Sequence, residues 1–341
     1  MKNVTKKMAM LITALFCMGS VCAFGTKESV SAQEKPVFSF EDKANEVVIT
    51  DSTVTVSDFF GTEKTLTRGA YKNVVSLYHS HTALWYEAGG NLVGRVHTDG
   101  AEAQLPAEAL QDDVAIVANG ITSNTISIEE ILKVNPDLVI LGQAMGQPSL
   151  VPALASVGIE TIVVDYSDLS DYLKWFKVFA YLNNQGENYD AVAKQTVNNV
   201  IDIINSVPQK EVYPTVLPIF SAAGTITVSL SGTALGNMIS QLQAVNVANR
   251  VDESTVDGRI EMNLESIMLA DPDIILIQTM DADVSQSAVN TYYKDNKLWN
   301  SLRAVQEGRV YFLDPGLFHY RPHSQYDKAY QALYDIFYED I

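Results

Sequence analysis

The sequence has 341 residues, of which 47% are hydrophobic, and its formal net charge at pH 7 is −18. A chain of this length is expected to form two domains of about 150 residues, and each half is long enough to bury its own core. The strong negative charge disfavours contact with nucleic acid and with anionic lipid headgroups, so neither is expected as a partner.

The first 23 residues have the pattern of an export signal. Three lysines lie among the first seven residues, an apolar stretch covers residues 8–18, and small residues follow. The apolar stretch is too short to span a membrane stably. Two processing routes are open: cleavage of a signal peptide after Ala23, or lipidation of Cys22, because residues 19–22 resemble a lipobox. We therefore expect an exported protein, in the periplasm or at the outer face of the cytoplasmic membrane.

The two cysteines of the chain, Cys17 and Cys22, both lie within this signal. The mature domain is therefore expected to contain no disulfide and to use no thiol chemistry. A polar, flexible tether is predicted over residues 24–45.

Beyond the tether, the residue pattern predicts a lobe of strands and helices. Residues 46–68 alternate apolar and polar side chains around turn residues, which is typical of a small β-hairpin. Strands and helices then alternate at a spacing that predicts a parallel sheet. In chain order they are strand NVVSLY, helix TALWYEAG, strand NLVGRV, helix IEEILKVN, strand LVILG, helix SLVPALASVG, strand TIVVD and helix LSDYLKWFKVFAYLNNQG.

A long helix is predicted next, because side chains suited to a buried face recur at helical spacing through residues 187–206 and Pro208 ends the pattern. These side chains are Tyr189, Val192, Thr196, Val197, Val200 and Ile204. A second set follows: strand TVLPIF, helix ALGNMISQLQA, the helix and strand in NLESIMLADPDIILIQ, strand RVYFLD and helix SQYDKAYQALYDIFYED. We predict an α/β fold of two lobes, residues 46–185 and 209–341, each with a mainly parallel sheet flanked by helices. One rigid helix at residues 186–208 joins them.

One phrase occurs twice. SIEEILKVNPDLVILG begins at Ser127, and NLESIMLADPDIILIQ begins at Asn263. Serine and asparagine suit a helix N-cap, the apolar residues face the sheet, and proline cannot continue the helix, so local structure explains most of the repeat. Local structure does not require the glutamate at the third position of each copy, Glu129 and Glu265, although both would favour a first helical turn through the helix dipole.

These two phrases, with GAYKNVVSLYHSHTALWYEAGGNLVGR before them and LWNSLRAVQEGRVYFLDPGLF after them, resemble the substrate-binding proteins of ABC importers for ferric siderophores, haem and cobalamin. The resemblance covers about residues 50 to 341. It implies two α/β lobes joined by a rigid helix, a ligand cleft between the lobes, no intrinsic cofactor, and a monomeric protein.

The resemblance also implies a partner. In that family a glutamate on each lobe contacts arginines of a two-fold permease, which works with its ATPase. On this sequence the role falls on Glu129 and Glu265. A duplicated acidic contact suits a permease homodimer, because each half of the partner would bind an equivalent acidic residue.

The expected ligand groups lie beyond the carboxyl ends of the strands, where open α/β sheets bind their ligands. They are Tyr78, His79, His81, Gln143, Tyr166, Gln278, Phe318, His319, Tyr320 and Arg321. Arg321 is the strongest positive group for an anionic chelate, because guanidinium pairs with carboxylate or catecholate oxygens; Arg95 and Arg259 are weaker candidates. Core packing is expected for Trp85 and Trp299.

Four of the five histidines lie in two of these predicted loops: His79, His81, His319 and His323. Three uses are open: a histidine or Tyr78 ligates haem iron, His79, His81 and His319 bind a bare Zn²⁺ or Mn²⁺, or the histidines donate hydrogen bonds to a chelate whose metal is saturated. The alternative to all three uses is that the histidines are simply polar loop residues that face water. Bare-metal binding is disfavoured, because such sites usually recruit carboxylates too.

An enzyme is not expected. His79-Ser80-His81 resembles the start of a metallohydrolase site, but Ala83 and Leu84 stand where an H-x-H-x-D-H run requires aspartate and histidine. The chain has no G-x-S-x-G elbow, phosphate loop or dinucleotide fingerprint. The expected cargo is a ferric siderophore; haem or cobalamin is the first alternative, direct zinc or manganese binding the next, and a metallohydrolase the most remote.

Overall fold

A computed structural model describes residues 38–222, 225–250, 258–260, 267, 269–280 and 296–339. The predicted export signal, Cys22, most of the tether and Glu265 lie outside these residues. Within these ranges no helix is long and apolar enough to cross a membrane.

The predicted hairpin is part of a three-stranded antiparallel sheet. Helix α1 (Asp42–Asn45) is followed by β1 (Val48–Ile49), β2 (Thr53–Ser57) and β3 (Glu63–Thr67), which pair in chain order. Every second residue of β2 is buried, as expected for a strand with one face on the core.

The next sheet has five strands, all parallel. Its order is β6 (Ala115–Asn119), β5 (Gly94–His97), β4 (Val74–Ser76), β7 (Leu138–Gly142) and β8 (Glu160–Val164). The helices between and after these strands are α2 (His79–Glu87), α3 (Ile128–Leu132), α4 (Val151–Ser156) and α5 (Leu169–Leu182). Successive residues of β7 pack into two core clusters on opposite faces, so both faces of the sheet are covered.

The long helix begins with a π-helical turn at Tyr189–Lys194 and continues as α6 (Gln195–Ser206). Five of its six predicted core positions are buried, and the sixth, Val192, is half-buried. The helical spacing is thereby confirmed. The domain boundaries at 185 and 208 stay a prediction.

The last sheet is mixed rather than wholly parallel. Its strands are β9 (Thr215–Ala222), β10 (Thr225–Ser229), β11 (Val245–Asn246), β12 (Arg259–Ile260), β13 (Ile274–Thr279) and β14 (Val310–Phe312). The strands β9, β13 and β14 are parallel, and β11 is parallel to β9, whereas β10 is antiparallel to β9 and β12 is antiparallel to β10. The helices are α7 (Ala234–Gln241), α8 (Arg303–Gln306), α9 (Pro315–Phe318) and α10 (Tyr326–Tyr338). The predicted fold class, two lobes with mainly parallel sheets, is confirmed.

Around its Pro-Asp pair, the repeated phrase has similar backbone geometry in both copies. The residue before each proline, Asn135 and Asp271, has a positive φ, of 46° and 34°. The aspartate after each proline ties down the start of the neighbouring strand: Asp137 accepts from the backbone N of Asn73, and Asp273 from the backbone N of Thr215 at 2.8 Å. The Pro-Asp pair therefore has a structural role in both lobes.

Candidate functional site

Predicted ligand groups from the two ends of the chain meet in the structure, because residues 78–81 contact residues 319–321. Tyr78 is extended and precedes α2, so His79 and His81 belong to the first turn of that helix and not to the loop in which the sequence pattern placed them. This position suits polar residues, because the first backbone N–H groups of a helix have no partner within it.

Aromatic rings form a continuous row from one lobe to the other. The ring of Tyr78 stacks on His79 with centroids 4.8 Å apart and lies 5.0 Å from His81. His79 meets Tyr320 edge-on at 5.3 Å, and Tyr320 meets His319 at 4.7 Å. Residues 240 positions apart in the chain thus form one cluster.

Arg321 lies beside this row. Its guanidinium is 5.7 Å from the ring centre of Tyr166 and donates a hydrogen bond to the backbone oxygen of Tyr166 at 3.4 Å. The hydroxyl of Tyr166 is 3.4 Å from Nδ1 of His323. Gln143 donates to Ser167 at 3.0 Å. The structure therefore brings together Arg321, Tyr166 and His323, all of which the sequence pattern placed in predicted loops.

Two of the predicted residues support the cluster and contribute little surface to it. The side-chain amide of Gln278 donates to the backbone oxygen of Phe318, and the ring of Phe318 packs in the main core. Among the weaker candidates, Arg95 donates to Ala109 at 2.7 Å and pairs with Glu102 away from the row of rings. Arg259 lies 4.1 Å over the ring of Phe220, which itself stacks on His319.

Two cavities border Arg321. The smaller, of about 60 Å³, is lined by Tyr78, Ser80, His81, Gly142, Gln143, Ala144, Val164, Tyr166 and Arg321. The larger, of about 600 Å³, runs along α2. Its polar lining includes Glu87, Gln104, Glu108, Arg321 and His323. Only the larger has the volume typical of small-molecule sites, about 300–1,000 Å³.

The histidines of the cluster are neutral at pH 7. Burial, reinforced by neighbouring positive groups, lowers the pKa of His79 and of His319 to about 4 and that of His323 to about 3, and burial also lowers the pKa of His81. Burial raises the pKa of Tyr78, so the phenol stays protonated. A neutral imidazole keeps a lone pair that can ligate iron or accept a hydrogen bond.

Two imidazole nitrogens are buried and lack a hydrogen-bond partner among the residues that the structure describes: Nδ1 of His79 and Nδ1 of His81. Unpaired buried polar atoms are rare and often mark a place where another molecule binds. In the same part of the chain, no group of three or more histidine, cysteine, aspartate or glutamate side chains is arranged to hold a metal ion.

Of the two predicted docking glutamates, Glu129 is exposed at the start of α3. Ser127 caps that helix, and the adjacent Glu130 pairs with Lys133. Glu129 itself forms no hydrogen bond or ion pair with the described residues, so its carboxylate is available to a partner.

Comparison with known proteins shows the family of this chain. Residues 74–317 match the sequence model of the periplasmic binding proteins. The chain belongs to the periplasmic binding protein family. Among its relatives, this periplasmic binding protein is 23% identical over 225 residues to the high-affinity heme uptake system protein IsdE of Staphylococcus aureus strain MRSA252, covering 63% of this chain and 72% of IsdE.

Solved structures share the fold of this periplasmic binding protein. The crystal structure of S. aureus IsdE complexed with heme has a TM-score of 0.65 at 20% identity, covering 79% of this chain and 100% of IsdE. The periplasmic catecholate-siderophore binding protein VctP of Vibrio cholerae has a TM-score of 0.66 at 17% identity, covering 84% of this chain and 99% of VctP. These proteins are substrate-binding proteins, not enzymes.

The sequence pattern missed three residues that shape the site. Ser80 donates to the backbone oxygen of Tyr320 at 3.0 Å, and Glu87 accepts from Ser324 at 2.8 Å. These contacts join residues 240 and 237 positions apart, so no local signal indicates them.

Proposed function

We propose that this protein is the extracytoplasmic substrate-binding protein of an ABC importer and that its cargo is a ferric iron complex. The observation that carries the proposal is the row of neutral histidine and tyrosine rings between the two sheets, with Arg321 beside it. Such a site offers flat apolar contact, neutral donors and one cation, which suits a large anionic chelate.

Among ferric complexes, haem is best supported. Its iron has open axial positions, and His79 is a neutral imidazole of the kind that ligates haem iron. The guanidinium of Arg321 would pair with a propionate. The relative IsdE is named as a heme uptake protein, which supports the same choice.

A ferric siderophore, the cargo expected from the sequence, is the second candidate. Its iron is already saturated, so it would use Arg321 and the aromatic rings and leave the histidines without iron bonds. The cavity of about 600 Å³ next to Arg321 favours this candidate, because it offers room for a ligand that is not planar.

A titration of purified apo protein separates the candidates. Haemin, a ferric catecholate and cobalamin are added in turn, and tryptophan quenching and the visible spectrum are recorded. We expect haemin to bind with a shifted Soret band, and His79→Ala to change that band. His97→Ala is the matched control, because His97 lies outside the cluster and pairs with Glu102 and Asp99. Binding of the ferric catecholate alone would favour the second candidate, and binding of neither iron complex would refute the proposal.

Delivery of the cargo follows from the same proposal. Glu129 and Glu265 would contact the two halves of a permease homodimer, one from each lobe, while the ATPase acts on the other side of the membrane. Export through the signal in residues 1–23, with or without a lipid on Cys22, would place the protein where the permease can meet it. We propose that it works as a monomer.

A further inference from the structure

Residues 319–325, here called the crossing segment, carry most of the second lobe's contribution to the site. His319, Tyr320, Arg321 and His323 all lie on it. Its backbone is unusual, because φ is 78° at Arg321 and 50° at His323, on either side of Pro322. Residues with a side chain rarely adopt such angles, and they keep them only where the surroundings hold the backbone in place.

The surroundings hold the crossing segment through its backbone. Ser80 of α2 donates to the carbonyl of Tyr320 at 3.0 Å, and Thr196 of α6 donates to the carbonyl of Ser324 at 3.2 Å. The carboxylate of Glu87 accepts two hydrogen bonds from Ser324, one from Oγ at 2.8 Å and one from the backbone N at 3.2 Å. Glu87 is therefore the only one of these three residues that holds the segment with two bonds.

Glu87 sits at the last turn of α2, and it lines the cavity of about 600 Å³ that Arg321 and His323 also line. A half-buried acid is an expensive choice for a purely structural contact, because burial disfavours the charged carboxylate. Burial raises the pKa of Glu87 to about 7 although the bonds from Ser324 act against that shift.

We propose that Glu87 is a positioning residue for cargo binding, which it serves by holding Ser324 so that Arg321 and His323 keep their left-handed backbone and face the cavities. The inference rests on the proposed function. Without the two bonds from Ser324, the backbone of the crossing segment relaxes toward ordinary angles, and the guanidinium of Arg321 turns away from the acidic groups of the cargo.

The test compares haemin with haemin dimethyl ester, which lacks the two propionate charges. For Glu87→Ala we expect affinity for haemin to fall about tenfold and affinity for the ester to fall far less, because the guanidinium is what moves. Glu63→Ala is the matched control: Glu63 is exposed on β3 and lines neither of the two cavities that border Arg321. It should bind haemin within about twofold of the wild type.

Two further variants separate positioning from general damage. Glu87→Gln keeps an oxygen that accepts from Ser324 and should restore haemin binding. In an Arg321→Ala background, Glu87→Ala should add less than about twofold, because both changes remove the same contribution. The proposal would be overturned if the affinity losses of Glu87→Ala and Arg321→Ala multiplied in full in the double variant, or if Glu87→Ala and Glu63→Ala bound haemin equally well. If Glu87→Ala does not fold, Ser324→Ala removes the shorter bond and is measured in its place.

A readout without cargo keeps this inference distinct from the proposed function. Amide hydrogen exchange at residues 319–325 of the apo protein should speed up at least about tenfold in Glu87→Ala and stay unchanged in Glu63→Ala. Unchanged exchange in Glu87→Ala would refute the proposal that Glu87 holds the crossing segment in place. Faster exchange in a protein that binds neither haemin nor a ferric catecholate refutes the proposed function, and the role in cargo binding with it.

Discussion

Replacement of Glu87 by glutamine should stabilise the protein at pH 8 and have little effect at pH 4.5. Burial raises the pKa of this carboxyl from 4.5 to about 7. A group whose pKa is higher in the folded state contributes stability that is fully present below the unfolded pKa and is lost as the pH rises through the folded pKa. The window for Glu87 therefore runs from about pH 4.5 to about pH 7.

The size of the effect follows from the same shift. A difference of about 2.5 pKa units, at 1.36 kcal/mol for each unit, corresponds to about 3 kcal/mol of unfolding free energy. Glutamine carries no charge at any pH and keeps an acceptor oxygen for Ser324, so it avoids the loss. For a chain of this size the gain at pH 8 corresponds to a rise in Tm of roughly 5 °C relative to the wild type.

The assay is thermal unfolding, followed by circular dichroism, of both proteins from pH 4.5 to pH 8. Glu108→Gln is the control, because it removes an exposed carboxylate from the same cavity. The reasoning is refuted if the difference in Tm between Glu87→Gln and the wild type is the same at both ends of the pH range, or if Glu108→Gln gives the same gain.

Three further predictions concern docking, titration and the repeated phrase. Glu129→Arg combined with Glu265→Arg should leave cargo affinity intact and abolish uptake by cells; normal uptake would exclude the docking role. Because burial lowers the pKa of His79 to about 4, its ring resonances in an NMR titration should show no midpoint near 6.5, whereas the pKa of His97, raised by its hydrogen bond to Glu102, should appear above 6.5. Asp137→Ala should lower the unfolding free energy by about 2 kcal/mol, because it leaves two backbone N–H groups without their acceptor, as chemical denaturation can measure. The exposed Asp112→Ala is the control for that measurement, and an equal loss there would contradict the explanation.

Strands with strong patterns could be predicted from the sequence. Strand β7 was predicted at its observed bounds, because five buried residues follow a Pro-Asp pair and end at a glycine. Strand β6 is absent from the prediction because it is an edge strand with only two buried residues, and its second residue, Ile116, is 44% exposed. The prediction also lacks the antiparallel strand β10, whose place beside β9 is not given by residue periodicity.

In the candidate site, too, some features could be predicted from the sequence and others could not. The residue types at the carboxyl ends of the strands are visible in the sequence, and the rings of Tyr78, His79 and Tyr320 do meet. The contacts that hold them could not be predicted, because hydrogen bonds such as that from Ser324 to Glu87 depend on how distant segments pack. The start of α2 at His79 was misplaced, because histidine and serine carry no strong helical signal.

The packing of the last helix, α10, against α6 has a consequence for cleavage of the chain. Helix α10 lies against α6, where Asn199 donates to Asp327 at 2.9 Å and Tyr334 donates to the backbone of Ser206. The chain segments before and after residues 209–212 are therefore connected twice, once through the covalent chain and once through the contact of α10 with α6. A protease that cuts at the exposed residues 209–212 would break only the covalent connection. The two fragments should then stay associated without a peptide bond between them.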